Sequence, residues 1–223
     1  MQELEKLLQN STAKRKIVAV EGIYSMDGDL CKREVFEICD KYNTILIVDE
    51  AHSSGVIGEN LMGVFDHYGI TPQDNHIKMG TLGKAYGSFG AFILASEHIV
   101  EYLINRAKPI IYATSLSLYD TLLAHNSLEF IVKNRVFLKE AIVKRQAIVK
   151  EILDVQVFGL IVPLYIGNNT KVIEIKDELK SAGFSVGGIR QPTVPSAIIR
   201  VISRLGESED NLRRLCEKLV KII

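Results

Sequence analysis

Apolar and polar positions follow two different rhythms along this chain. Residues 17–20 and 44–48 are β-branched runs closed by Glu21-Gly22 and by Asp49-Glu50. Between them Val35, Phe36, Ile38 and Cys39 recur at helical spacing over residues 32–42. That order predicts a β-α-β unit with polar groups at the strand ends. A further strand is predicted at 91–95, a helix at 97–106, and another strand just before Thr81. Residues 118–153 read as almost wholly helical, with a break near Asn134. Beyond it come a strand within 157–166, a helix over 171–182 stopped by Gly183, strands near 184–189 and 198–202, and a terminal helix opening at Ser208. The pattern thus describes an α/β portion to about residue 134, then a small α+β domain over 135–223. The first eight residues form an amphipathic helical pattern and lack the uninterrupted apolar stretch of a signal peptide.

Composition narrows the function classes. With 223 residues, 47% of them hydrophobic, the chain can bury one substantial core or two small ones. Lys+Arg and Asp+Glu both number 27, and no long block of like charge occurs, so neither nucleic acid nor an anionic membrane is indicated as a partner. No window approaches a membrane span. Cys31, Cys39 and Cys216 make no CxxC pair and no disulfide framework, which fits a reduced, cytoplasmic compartment and gives no metal site.

The chemistry concentrates in two short segments. Lys84 stands in Gly80-Thr81-Leu82-Gly83-Lys84-Ala85-Tyr86-Gly87, downstream of Val48-Asp49-Glu50-Ala51-His52. A lysine that carries an aldehyde cofactor as a Schiff base needs glycines for close backbone approach and a hydroxyl such as Thr81 for a phosphate. Asp49 ends an apolar run, where an unpaired carboxylate is costly, so it either caps the next turn or faces a cationic group such as a protonated pyridine nitrogen. The same letters Asp49-Glu50-Ala51-His52 also spell a signature of nucleic-acid-dependent ATPases. That reading fails, because no GxxxxGK[ST] loop precedes the motif: Lys78 occupies the first glycine position relative to Lys84, and Ala85 follows it.

Taken with Glu21-Gly22-Ile23-Tyr24-Ser25-Met26-Asp27-Gly28-Asp29 upstream and Pro192-Thr193-Val194-Pro195 downstream, these segments resemble the alpha-oxoamine synthases, which are fold-type I pyridoxal phosphate enzymes. The resemblance runs from about residue 16 to the C-terminus. It implies an α/β fold, part of the aspartate-aminotransferase-like large domain over 1–134 followed by a small α+β C-terminal domain over 135–223. It further implies pyridoxal 5'-phosphate as cofactor, with Lys84 as the Schiff-base lysine and proton-transfer base, Asp49 at the pyridine nitrogen and His52 at the phenolic oxygen. Ser25 matches a serine near the cofactor and Thr81 a phosphate ligand. Thr114, in Tyr112-Ala113-Thr114-Ser115, matches a segment that crosses to the other subunit of a homodimer. Arg200 and Thr193 match substrate-recognition positions, the arginine as a carboxylate clamp. Read without the resemblance, Ser25, Thr114 and Thr193 are equally ordinary loop residues, and His52 equally a structural histidine.

Within the family the motifs resemble most the branch that joins alanine to a pimeloyl group carried on coenzyme A or acyl carrier protein. Glycine with acetyl- or succinyl-CoA, serine with a long acyl thioester, and a noncatalytic dimerisation subunit remain as alternatives. Whole members of the family are longer, and matching the motifs places Met1 well inside their large domain. The glycine-rich phosphate loop, the histidine that stacks on the cofactor and an N-terminal arm therefore lie outside this sequence. The expectation is a chain that alone binds cofactor weakly, shows little or no synthase activity and exposes sheet edges and an apolar face.

Overall fold

The computed structural model describes residues 1–223. The chain divides into two units, residues 1–23 with 30–135, and residues 24–29 with 136–223. The excursion of 24–29 into the second unit has no counterpart in the hydrophobic pattern.

In the first unit the elements run α1 (Gln2–Asn10), β1 (Ile17–Glu21), α2 (Glu34–Lys41), β2 (Ile45–Asp49), α3 (Val64–Tyr68), β3 (His76–Thr81), β4 (Ala91–Leu94), α4 (Glu97–Arg106), α5 (Lys108–Ile111) and α6 (Leu118–Lys133). One sheet holds the strands in the order β1-β2-β3-β4, the first three parallel and β4 antiparallel to β3. The register pairs Glu21 with Asp49 and Asp49 with Met79, which brings the carboxyl ends of the three parallel strands to one edge. In open α/β sheets ligands collect at that edge.

The core of this unit grows from β2, whose Leu46 and Val48 are wholly enclosed, and from Val35, Phe36 and Cys39 of α2. Phe36 meets Phe65 of α3 edge-on at 5.1 Å between centroids, and both rings contact His76. His76 is satisfied within that apolar cage. The Gln73 amide donates to its Nδ1 at 3.1 Å, and its Nε2 donates to Asp40 Oδ1 at 2.9 Å. By contrast α4 and α5 bury no side chain, and Tyr112 and Leu118 are 80% and 88% exposed. An apolar surface lies open along this part of the chain.

The second unit contains α7 (Arg135–Leu153), β5 (Ile161–Tyr165), α8 (Asn169–Ser181), β6 (Gly187–Ile189), β7 (Ile198–Ile202) and α9 (Glu209–Ile222). Its sheet is antiparallel in the order β5-β7-β6. Leu212, Leu215, Cys216 and Leu219 of α9 repeat at i, i+3, i+4, i+7 and bury against a core that includes Val172, Ile175 and Leu179 of α8. Ser208 caps α9, its hydroxyl accepting the Asn211 N–H at 3.1 Å, and Asn168 caps α8 in the same way. Two strands are shorter than the pattern predicts. Phe158 and Gly159 give their carbonyls to the Gln146 side chain instead of a ladder, and the Phe184 amide closes α8 by bonding Leu179 O at 2.9 Å.

Candidate active site

Asp49 is the last residue of the inner strand β2, half-buried at the carboxyl end of the parallel strands, with Oδ1 accepting the Ala51 N–H at 2.8 Å. That bond turns the chain immediately after the strand and leaves Oδ2 without a hydrogen bond from the protein. Three residues on, His52 Nε2 lies 2.9 Å from Lys84 Nζ, 32 residues away in sequence. The fold thus brings the two sequence motifs together: His52 follows β2, Lys84 follows its neighbour β3, and both strands end at the same edge. Lys84 is exposed and opens a tight turn, its carbonyl accepting the Gly87 N–H at 3.0 Å. Thr81 Oγ1 donates to Gly90 O at 3.3 Å and accepts the Gly83 N–H at 3.2 Å, so the hydroxyl stands at the base of the lysine loop.

The structure explains two of the three glycines around Lys84. Gly80 faces Phe92 across the β3–β4 pair, and a Cβ on it would come within 2.5 Å of the ring. Gly87 adopts φ +59°, the left-handed conformation that closes the turn. Gly83 meets nothing closer than 3.6 Å, so packing alone does not demand it.

Beneath this pair lies a group of residues to which the sequence reading gave no role. Tyr86, two positions after Lys84, is buried, and that burial pushes its phenol pKa up against the opposing influence of the Ser54 hydroxyl beside it. Ser54 Oγ is enclosed without a hydrogen bond of regular geometry. Glu50 is wholly buried. Its two oxygens both accept the Val64 N–H at 2.9 Å, Ser53 Oγ donates to Oε2, and Lys78 Nζ lies 3.8 Å from Oε1. A carboxylate so enclosed must be paired, and its partners here lie 3 to 28 residues away in sequence, so no local pattern marks it. Beside Lys78, a cavity of about 730 Å3 also lined by Met62, Phe65 and Leu94 does not include Asp49, His52 or Lys84.

In the second unit Ser25 and Arg200 meet across 175 residues, the half-buried guanidinium donating from Nε to Ser25 O at 2.6 Å. Arg200 lies on the central strand β7, opposite Pro163 and Gly187. Ser25 sits in a turn closed by the Gly28 N–H on Tyr24 O at 2.9 Å. Gly28 takes φ +69° there, and a Cβ would reach within 2.9 Å of Ile161 O. Thr193 is exposed in a loop where its N–H bonds Arg190 O at 3.0 Å, while neighbouring Val194 plugs into the core. Thr114 of the first unit lies in the exposed stretch between α5 and α6. No cluster of three or more metal-ligating side chains occurs, and no helix is long and apolar enough to cross a membrane.

Known proteins match almost the whole of this chain. The model of the aminotransferase class I and II family matches residues 1–219. The chain is 40% identical over 217 residues to an 8-amino-7-oxononanoate synthase of Helicobacter pylori, covering 97% of this chain and 58% of that protein. It is 34% identical over 230 residues to the synthase of the same name from Cellvibrio japonicus, covering 99% and 57%. It therefore spans somewhat more than half the length of these relatives. Among solved structures, the 8-amino-7-oxononanoate synthase of Francisella tularensis superimposes with a TM-score of 0.77 at 29% identity, covering 99% of this chain and 67% of that one. A serine palmitoyltransferase of Sphingomonas wittichii gives 0.87 at 22% identity, covering 99% and 58%, which shows a shared fold-type I architecture.

Proposed function

The chain belongs to the aminotransferase class I and II family, and on that premise we propose that it serves a pyridoxal-phosphate-dependent acyltransferase of the alpha-oxoamine synthase type, joining L-alanine to the acyl carbon of a pimeloyl thioester with release of the carrier thiol and of the alanine carboxylate as carbon dioxide. The observation that carries this reading is the 2.9 Å contact of Lys84 Nζ with His52 Nε2 at the strand edge where Asp49 ends β2. These residues suit the cofactor. The lysine amine is exposed and offered to an aldehyde, Asp49 keeps one carboxylate oxygen unbonded for a pyridinium proton, and Thr81 supplies a hydroxyl at the foot of the loop. When bound, pyridoxal phosphate supplies an electron sink for charge left on the amino acid's α-carbon.

The chain's own groups do the proton work. With cofactor and amino acid bound, Lys84 Nζ would be the base that takes the α-proton and the acid that returns one. His52 is assigned to the phenolic oxygen of the bound cofactor, and without it its Nε2 lies within hydrogen-bond reach of Lys84 Nζ. Asp49, held by the Ala51 amide, would face the pyridine nitrogen of the bound cofactor and favour its protonated form. Ser25 and Thr81 are assigned to the cofactor. Thr114 is assigned to the phosphate site of a dimer mate, a role supported by the exposed apolar stretch around it. In the second unit Arg200 and Thr193 are assigned to the substrate, with the planar guanidinium suited to a carboxylate. The acyl donor is assigned as pimeloyl-CoA or pimeloyl-acyl carrier protein from the resemblance of the motifs, a choice of branch that the 8-amino-7-oxononanoate synthases of H. pylori and C. japonicus support. The reduced thiols fit a cytoplasmic setting.

Titrating the pyridoxal-phosphate-loaded chain with L-alanine, glycine and L-serine, and following the visible absorption, tests the amino acid assignment. A saturable change at the lowest concentration with alanine is expected. Preference for glycine or serine moves the assignment to another branch of the family, and no response to any of the three, with cofactor held on Lys84, overturns it.

A further inference from the structure

Glu50 adjoins Asp49 in sequence, yet its side chain is directed away from solvent into a closed set of partners. Both carboxylate oxygens accept the Val64 amide at 2.9 Å, Oε2 accepts Ser53 Oγ, and Lys78 Nζ stands 3.8 Å from Oε1 while also donating to Met62 O. The surrounding backbone leaves no spare room. A Cβ on Gly22 would fall 2.7 Å from Oε2, and one on Gly63 would fall 2.1 Å from it. The Glu50 backbone is bonded as well: its N–H donates to Met79 O of β3 at 2.8 Å, and its carbonyl accepts the Ser53 and Ser54 amides at 3.2 and 2.9 Å. Those bonds enclose the turn 50–54, and His52 is the residue at the middle of that turn. Besides Lys78, Glu50 acts electrostatically on buried Tyr86 and Cys31, so the titratable groups facing it are a lysine, a phenol and a thiol.

We propose that Glu50 is a positioning residue for the His52–Lys84 pair: its carboxylate, gripping Ser53, Val64 and Lys78, fixes the turn from which His52 reaches Lys84 Nζ. The role rests on the reading of Lys84 and His52 given above. A buried carboxylate of this kind is costly unless fully bonded, and its bonds here join β2, β3 and the start of α3 behind a side chain that must hold one orientation. The sequence neighbour that touches the cofactor in the proposed function is Asp49. Glu50 instead sets the geometry of the residue two positions further on.

The test is long-range 15N–1H NMR of the His52 ring in the cofactor-free chain, comparing wild type, Glu50→Gln, Ser53→Ala and Asp66→Asn. In wild type the acceptor Nε2 and the protonated Nδ1 should give well-separated shifts. Glu50→Gln should remove most of that separation, and Ser53→Ala a smaller part. Asp66 bonds the Asn60 and Met62 amides of the same loop without touching residues 50–54. Asp66→Asn should therefore loosen the loop and leave His52 unchanged. An unchanged ring in Glu50→Gln, or an equal change in Asp66→Asn, overturns the proposal. Should Glu50→Gln fail to fold, an unchanged ring in Ser53→Ala overturns it instead. Borohydride trapping of cofactor in wild type reports separately on the function reading: trapping at Lys84 with an indifferent Glu50→Gln sinks only the positioning role, and trapping elsewhere sinks the reading beneath it.

Discussion

Replacing Gly80 by alanine should destabilise the first unit by about 1–2 kcal/mol, although its backbone is not in the left-handed region. The figure follows from the β3–β4 pair. The added Cβ would sit 2.5 Å from Phe92 Cζ and 2.8 Å from Cε1, well inside normal contact. The ring cannot simply swing away, because its edge packs on Tyr86 at 6.1 Å between centroids and Tyr86 is buried. Overpacking of this kind costs about 1–3 kcal/mol, and the lower unfolded-state entropy of alanine returns about 0.4–1 kcal/mol. Native-state hydrogen exchange at the β3–β4 amides reads the effect locally, which matters in a chain of two units. Phe92→Ala removes the obstacle, so the double variant Gly80→Ala/Phe92→Ala should be no less stable than Phe92→Ala alone. Full stability of Gly80→Ala, or strict additivity of the pair, would refute the reasoning and return Gly80 to a cofactor-driven explanation.

Other expectations follow from the same geometry. Arg145 is buried and donates to the carbonyls of Ala141, Arg204, Leu205 and Glu207, so Arg145→Met should cost roughly 3 kcal/mol in thermal denaturation and speed hydrogen exchange over residues 204–207; an unchanged melting temperature would contradict this. Burial, the leading cause in each case, pushes the thiol of Cys31 up to about 12 and those of Cys39 and Cys216 up to about 11, from an ordinary 9.0. Because the folded thiols hold their protons longer than the unfolded ones, the stability they contribute is complete below pH 9 and is lost as pH rises from there through 11 to 12. Urea unfolding at pH 8 and pH 10.5 should show that decline, and Ellman's reagent at pH 8 should label the three cysteines only after urea is added; rapid labelling of the native chain would show that they are not enclosed.

Much of the fold was legible because it is local. The run Ile45-Leu46-Ile47-Val48 is apolar on both faces, as a buried parallel strand must be, and Ser208 announces α9 through its own hydroxyl. What escaped is non-local. Helix α3 has five residues, too few for a periodic signal, and its first amide is held by Glu50 from 14 residues away. The attachment of residues 24–29 to the second unit depends on Arg200 and on Tyr165, whose hydroxyl donates to Asp27 at 3.3 Å across 138 residues. Around the candidate site, the motifs single out Asp49, His52 and Lys84. The 2.9 Å contact between the last two required the parallel pairing of β2 with β3, which no single segment specifies. Glu50 was read only as the residue after Asp49, because nothing in one sequence tells a solvated glutamate from one enclosed by two glycines.

Lys84 is the residue on which the proposed chemistry depends most directly. Incubating the chain with pyridoxal phosphate, reducing with borohydride and mapping the modified peptide should yield one labelled segment carrying Lys84, with the label and its visible absorption absent in Lys84→Ala. Labelling at another lysine, or undiminished labelling of Lys84→Ala, would contradict the account.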